Sequence, residues 1–292
     1  MSEVFGIDVS HYQGRINWQQ VAGDNKKFAI LKCQYEAQSH RIDEYFESNY
    51  AEAGKYGIAR GVYIYIARAS MADPVGDAQA LLNHLKGRKL EYGIWIDLED
   101  STLGAKGKGF IRDLAYKYSD IFIKAGYYVG IYCNRDWYIR LIHDDLKRDF
   151  DFWIARYPKN DVGKYNKNSS LKPGASVAVA WQYSSKGNVA GITTHCDLDV
   201  DYDGTIELIV KAAQMAPEVS NPYPRPTRLL KLNCRGGDVK WLQFALNQHG
   251  ASLKIDGIFG LQTKLSVLLF QKDNGLRQDA IVGPRTIEKL VV

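Results

Sequence analysis

Asp97 and Glu99 stand two residues apart in the run Ile94-Trp95-Ile96-Asp97-Leu98-Glu99-Asp100, and alternating carboxylates are an odd way to finish an apolar strand. A strand returns to the same face every second residue, so both carboxylates point the same way, with Cα atoms roughly 6.5–7 Å apart. Like charges that close, at the rim of an apolar sheet, separate in pKa, and one of them becomes a proton donor near neutral pH. That is the chemistry of a glycosidase. The competing reading is that the acidic triplet only ends a strand and caps the next helix. The rest of the chain decides between the two.

Other apolar runs also end in carboxylates. Asp8 lies in Gly6-Ile7-Asp8-Val9-Ser10, ahead of the turn-forming Gln13-Gly14, while Asp197 and Asp199 lie in Cys196-Asp197-Leu198-Asp199-Val200-Asp201. Aromatic residues gather at further run ends: Tyr63 and Tyr65, Tyr132, Trp153 and Tyr157, Trp181 and Tyr183. Carboxylates surrounded by aromatic rings describe a sugar-binding cleft, because the apolar faces of pyranose rings stack on aromatic side chains.

Eight β-branched or aromatic runs must position these residues: Val4–Val9, Phe28–Cys33, Gly61–Ile66, Tyr92–Glu99, Tyr127–Cys133, Phe150–Ala155, Val177–Tyr183 and His195–Val200. Helical patterns cover roughly 43–56, 74–86 and 108–125, with Asp73-Pro74 as N-cap and first-turn proline. Strands alternating with helices, and nearly continuous in apolar character, argue for a parallel sheet buried on both faces, and eight of them argue for closure into a barrel. The segments 156–176 and 184–194 carry no helical periodicity. The expected fold is therefore α/β, an irregular TIM-like barrel whose first five strands carry helices and whose last three are joined mainly by loops. Chemistry is expected at the C-terminal ends of its strands.

A chain of 292 residues accommodates one large domain and a small one. No run of about 18 apolar residues and no charged-then-apolar leader is present, so the expectation is synthesis in a host cytoplasm without an export signal, and no membrane insertion. Cys33, Cys133, Cys196 and Cys234 show no C-x-x-C spacing and read as buried free thiols rather than disulfides or a metal site. No metal and no cofactor is called for. Charge is uneven: residues 227–292 hold ten Lys/Arg and five Asp/Glu, whereas 1–226 hold 28 of each. All the excess positive charge sits in the C-terminal piece and favours a polyanionic partner, nucleic acid or an anionic cell wall.

From residue 4 to about 210 the chain resembles glycoside hydrolase family 25, the muramidases common among phage endolysins. The resemblance is carried, in order, by Gly6-Ile7-Asp8-Val9-Ser10-His11-Tyr12-Gln13-Gly14 with Ile16-Asn17-Trp18, Gly61-Val62-Tyr63, Ile96-Asp97-Leu98-Glu99, Gly130-Ile131-Tyr132, Trp153-Ile154-Ala155-Arg156-Tyr157, Trp181-Gln182-Tyr183, and Gly191-Ile192 with Cys196-Asp197-Leu198-Asp199. It departs at Asn17, where Asp usually precedes Trp, and at Asp199, where Asn is common. It implies a barrel of five β/α units plus three strands that cleaves the β-1,4 bond from N-acetylmuramic acid to N-acetylglucosamine. Glu99 takes the place of the general acid. A raised pKa is expected for it from Asp97 and a nearby tryptophan. For the second step, substrate assistance with retention, in which Asp97 orients the 2-acetamido group, is favoured over direct attack by an Asp. Asp8 and Asp197 complete the catalytic candidates. Tyr63, Tyr65, Tyr132, Trp153, Tyr157 and Gln182 are the substrate-binding candidates. Whether Asp197 or Asp199 faces the cleft is left to the structure.

After a last barrel helix near 203–213 comes Ala216-Pro217-Glu218-Val219-Ser220-Asn221-Pro222-Tyr223-Pro224-Arg225-Pro226, a proline-rich spacer. The expected layout is a catalytic barrel in 1–213, a linker in 214–227 and a small all-α domain in 228–292. The last has helices near 238–249, 261–273 and 284–291. It holds a repeat offset by 23 residues, Asp256-Gly-Ile-Phe-Gly260-Leu-Gln-Thr263 against Asp279-Ala-Ile-Val-Gly283-Pro-Arg-Thr286. With Arg235-Gly236-Gly237-Asp238-Val239 and Phe270-Gln271 it resembles the three-helix peptidoglycan-binding domain of wall hydrolases. That makes peptidoglycan the expected partner, with anionic wall polymers beside it, and turns the charge reading away from nucleic acid. A barrel that only binds walls and a chitinase-like hydrolase of acetamido sugars are the rival functions.

Overall fold

The structure is a computed structural model that describes residues 3–34, 41–215 and 221–291; the first part of the expected spacer, 216–220, lies outside the described residues. It divides into two compact units, Met1–Met215 and Ala216–Val292.

In the first unit eight strands close into a barrel in sequence order: β1 (Val4–Val9), β2 (Phe28–Lys32), β3 (Ala59–Tyr65), β4 (Ile94–Asp97), β5 (Val129–Asn134), β6 (Phe152–Ala155), β7 (Ala180–Gly187) and β8 (Cys196–Asp201). Helices α1 (Trp18–Gly23), α2 (Phe46–Lys55), α3 (Arg68–Ala72), α4 (Pro74–Leu85), α5 (Ser101–Gly104), α6 (Lys108–Lys124), α7 (Arg135–Arg140) and α8 (Asp144–Asp149) fill the connections up to β6, and α9 (Thr205–Met215) follows β8. No helix stands between β6 and β8, as the polar, aperiodic 156–176 segment predicts. No helix among the described residues is long and apolar enough to cross a membrane.

One feature corrects the sequence reading. Strands β1 to β7 run parallel, but β8 pairs antiparallel with both β7 and β1. Only a short hairpin joins β7 to β8, too short for the crossover a parallel neighbour needs. The end of β8 that reaches the catalytic rim is therefore its beginning, at Asp197, and Asp201 lies at the opposite end of the barrel.

Strand alternation sorts the barrel into two cores. Ile7, Val9, Ala29, Leu31, Val62, Ile64, Ile94, Ile96, Ile131 and Ile154 face outward into the layer shared with the helices. Phe28, Ile30, Trp95, Tyr132, Trp153 and Ala180 face inward, and Ile206 and Val210 of α9 pack with them. Interior glycines make room for these rings. A Cβ at Gly130 would strike the Trp95 ring, and one at Gly6 the Phe28 ring. Gly61-Val62-Tyr63 and Gly130-Ile131-Tyr132 thus share one logic: the glycine yields space to a large side chain, and the tyrosine on the same face, two residues on, reaches the rim. All four cysteines are free thiols, three of them buried.

The second unit has its own core around α10 (Gly237–Gln248), α11 (Leu261–Asp273) and α12 (Pro284–Leu290), including Trp241, Leu242, Phe259, Val267 and Phe270. Its repeat builds the same latch twice. Gln243 Nε2 donates to Asp256 and to the Ile258 carbonyl at 2.9 and 3.1 Å, and Gln271 Nε2 donates to Asp279 and to the Ile281 carbonyl at 3.0 and 3.1 Å. Each Gln carbonyl accepts the backbone N–H that follows its aspartate, from Gly257 and from Ala280. The side chains of Gln243 and Gln271 are almost wholly enclosed, so these bonds replace the water they lose.

Candidate active site

The C-terminal ends of the parallel strands, with the start of β8, surround a cleft of about 330 Å³. It is lined by Asp8, Val9, Ser10, Tyr12, Gln13, Lys32, Tyr63, Tyr65, Asp97, Glu99, Tyr132, Trp153, Gln182 and Asp197. Of the ten expected site residues nine are here. Tyr157 is not among the lining side chains; its ring is partly exposed, and its hydroxyl donates to the Gln182 carbonyl oxygen. Trp181 and Tyr183, expected among the aromatics of the cleft, belong to the outer core. Gln182 takes the inward position on β7, so its two neighbours must face out.

Each wall follows from its strand. β4 ends at Asp97, which is buried, and Glu99 emerges beyond the strand, half-buried, on the face set by the two-residue period. Asp100 does what the competing reading of the triplet assigned to it. Its side chain caps α5 by accepting from the N–H groups of Thr102 and Leu103. Burial works against its charge, but those bonds and the Tyr65 hydroxyl outweigh it and hold the Asp100 carboxyl below its usual range.

Across the cleft, Asp8 of β1 sits directly opposite Asp197 of β8. Gln182 Nε2 donates to Asp8 at 2.6 Å, and the Tyr132 hydroxyl donates to the Gln182 carbonyl oxygen at 2.8 Å. Asp199, two residues along β8, is fully buried beneath the cleft and accepts from the Trp153 indole N–H at 2.9 Å. Asp197, not Asp199, is the β8 carboxylate that lines the cleft.

The sequence reading missed Lys32, Tyr12, Ser10, Gln13 and Val9. Lys32 is the only cation among the described lining residues, with its ammonium 5.7 Å from the Tyr63 ring and 5.3 Å from the Tyr65 ring. Phe28, Ile30 and Lys32 share the inward face of β2, so the period of two held the signal. Ser10 and Gln13 cap each other across the turn after β1, and Gln13 Nε2 donates to the His195 carbonyl at 3.2 Å, tying that turn to the approach to β8. His11 is held to the buried Asp43 at 2.7 Å and leaves Tyr12 67 % exposed at the cleft edge.

Burial raises the pKa of Glu99; Lys32 opposes the shift and Asp100 adds to it. The direction is the one a proton donor needs. Asp197 is pushed up to about 6 by burial, then by the charges of Glu99 and Asp161. Asp8 and Asp199 are driven well above the carboxylate range, first by burial and then by the charge of Asp197; Asp199 adds to the rise of Asp8, whereas the bonds from Trp153 and to Asp8 oppose that of Asp199. A cleft with a glutamate whose pKa is raised, among crowded carboxylates and aromatic rings, is equipped for acid-assisted cleavage of a sugar bond.

The profile of Glycosyl hydrolases family 25 matches residues 7–192, from β1 to the hairpin before β8. The chain belongs to this family. As a family 25 member it is a glycoside hydrolase of the lysozyme type, acting on peptidoglycan. A second profile, that of a peptidoglycan binding domain, matches residues 235–290. The autolytic lysozyme of Clostridium acetobutylicum is 28% identical over 289 residues, covering 96% of this chain and 76% of that one. Lysozyme M1 of Streptomyces globisporus is 27% identical over 210 residues, covering 67% of each. Among solved structures, the CTP1L endolysin superposes with a TM-score of 0.57 at 22% identity, over 72% of this chain and 69% of that one, which shows the shared fold. The modular autolysin LytC of Streptococcus pneumoniae, solved with a synthetic peptidoglycan ligand, gives 0.57 at 25% identity over 68% of this chain and 47% of its own.

Proposed function

We propose that this family 25 hydrolase cleaves the β-1,4 bond from N-acetylmuramic acid to N-acetylglucosamine with Glu99 as general acid and retention of configuration. The observation that carries the reading is the pairing, on one face at the end of β4, of a half-buried Glu99 whose burial favours its protonated form with a buried Asp97 that lines the same cleft. Glu99 gives its proton to the bridging oxygen as the bond to the anomeric carbon breaks. Asp97 orients the 2-acetamido group, whose carbonyl oxygen closes on that carbon from the other face. Glu99, now a carboxylate, takes a proton from the water that reopens the ring, so the configuration is inverted twice. Asp8 and Asp197 bind substrate hydroxyls or tune Glu99, and Tyr63, Tyr65, Tyr132 and Trp153 supply the walls for the sugar rings. Tyr157 acts through Gln182.

The product anomer, followed by NMR as it forms, tests this directly. The retained anomer appears first, and an inverted first product would sink the scheme. Mass spectrometry of digested sacculi tests the bond: reducing-end muramic acid supports it, reducing-end N-acetylglucosamine points to another acetamido-sugar hydrolase, and no release points to a wall-binding barrel.

The C-terminal unit, on this reading, holds the enzyme to the wall, with 214–227 as its tether and 228–292 as the binding domain. Its excess of five positive charges favours anionic wall polymers beside the glycan. Sacculi should retain Glu99→Gln protein, less strongly as salt rises. Retention on DNA but not on sacculi would reject the assignment.

A further inference from the structure

Lys32 is the only cation among the described residues that line the cleft, yet Asp8, Asp97, Glu99 and Asp197 all line it and Asp199 lies just beneath. Five carboxylates against one ammonium, in a largely enclosed space, cannot all be ionised. Protons must reside somewhere, and one atom marks where. Asp199 Oδ1 accepts the Trp153 indole N–H, but its Oδ2 is buried with no donor among the described residues. A carboxylate oxygen left in that state carries a heavy desolvation cost.

Register shows what lies beside it. Asp199 is the partner of Gly6 and Asp197 the partner of Asp8, so Asp8 and Asp199 are diagonal neighbours on the inner face of the β1–β8 pair. Gln182 is the direct partner of Asp199 on β7 and donates its amide to Asp8, which draws the two carboxyl groups to one side chain. The carboxyl groups of Asp8 and Asp199 lie in hydrogen-bonding contact, and two acceptors so placed are satisfied only when one of them holds a proton.

We propose that Asp8 and Asp199 share a single proton, and that Asp199 is thereby a positioning residue that fixes the orientation of Asp8 at the cleft floor. Asp8 then has two neighbours in place, the Gln182 amide and the Asp199 acid, and the row from the Tyr132 hydroxyl through Gln182 and Asp8 to Asp199 and the Trp153 indole is satisfied throughout. The pair carries one negative charge instead of two. Titratable groups around it are Asp197 and Cys196 on β8, Tyr132 on β5, Tyr157 after β6 and Tyr63 on β3, and Lys32 on β2 and Asp97 with Glu99 at β4 line the same cleft. The burial-driven rise for both members agrees in direction.

Asp199→Asn is the discriminating variant. Its amide carbonyl can accept from Trp153 and its NH₂ can donate to Asp8, so the bonds survive without a titrating proton. Asp199→Leu removes both bonds. The pair's proton is held more tightly folded than unfolded, so its contribution to stability is full at acid pH and is lost as pH rises through the pair's folded pKa. Denaturant unfolding of the full chain, from pH 4 upward, should show the wild-type unfolding constant rising about ten-fold more per pH unit than that of Asp199→Asn. Asp197 titrates in both proteins and drops out of the difference. Asp199→Asn should extend kcat/KM to higher pH, and Asp199→Leu should lower it by more than ten-fold relative to Asp199→Asn. Infrared spectra of the wild type should show a protonated carboxyl band at neutral pH that Asp8→Asn and Asp199→Asn each remove. Equal pH slopes in wild type and Asp199→Asn, Asp199→Asn as damaged as Asp199→Leu at every pH, or a neutral-pH band untouched by both variants would each overturn the shared proton.

Discussion

On the β4 side of the cleft, Glu99 feels the Lys32 ammonium and Asp97 lines the same wall; on the β1–β8 side, Asp8, Asp197 and Asp199 face one another, a neutral amide and an indole N–H. The two walls are made of the same residue types and manage charge by different means. Near β4 a fixed cation tempers the rise in the Glu99 pKa, so a donor can give up its proton and take it back. Near β8 no cation lines the cleft among the described residues, and burial, then neighbouring charge, pushes every carboxylate toward holding protons. A fixed cation suits a group that must change state in each catalytic cycle, and a buried, bond-satisfied proton suits groups that must stay put.

The comparison can be broken at the β4 wall first. Glu99→Gln should lower kcat by about 10³-fold or more while retention on sacculi persists, because the donor is lost and the surface is not. Appreciable residual turnover would move the acid elsewhere. Asp97→Asn should cost about 10²–10³-fold, mostly in kcat, if the carboxylate acts on charge that develops only in the transition state; a change confined to KM would make it a binding residue. At the opposite wall, Asp197 has a folded pKa of about 6 against 3.8, so the stability it lends is full below 3.8 and is lost as pH rises through about 6. Asp197→Asn should flatten the fall in unfolding free energy across that window by at most about 1.4 kcal/mol per pH unit, and a variant that steepens the fall would contradict the sign. Lys32→Met should have the mildest effect. With the opposing cation gone the Glu99 pKa rises further, and the alkaline limb of kcat moves up by about one pH unit. A limb that stays still would separate Lys32 from Glu99.

How much of this was legible depends on which residues spoke through periodicity. The apolar runs announced eight strands, and the aperiodic 156–176 segment announced the missing helix before β7. Asp8, Asp97 and Glu99 were visible because a carboxylate at the end of an apolar run has no comfortable structural excuse. Lys32 obeys the same period but was passed over, since a lysine ending a strand ordinarily carries its charge out to solvent. Trp181 and Tyr183 were assigned to the wrong face because an aromatic ring suits either core, and only the register of Gln182 between them decides. The direction of β8 depends on the length of the hairpin before it, and 184–194 gave no sign that β7 continues to Gly187. The twin glutamine latches were invisible as well, because the repeat is spaced by 23 residues while the glutamines are spaced by 28: Gln243 stands further from the end of α10 than Gln271 from the end of α11, and the loop after α10 is the longer.

The antiparallel closure of β8 on β1 also bears on how the protein is made. Asp8 lies on the first strand of the barrel and Asp197 on the last, made only after seven strands have been synthesised, yet they are direct partners in the finished sheet. Contacts so far apart in sequence form late, because the loop between them must be closed before they are rewarded. Until the last strand docks, Asp8 lacks its facing carboxylate, the turn after β1 lacks its tie to His195, and the barrel has an open edge. The ribosome therefore delivers a hydrolase that stays inert until its barrel is almost entirely synthesised, with the final strand acting as the key that arms it.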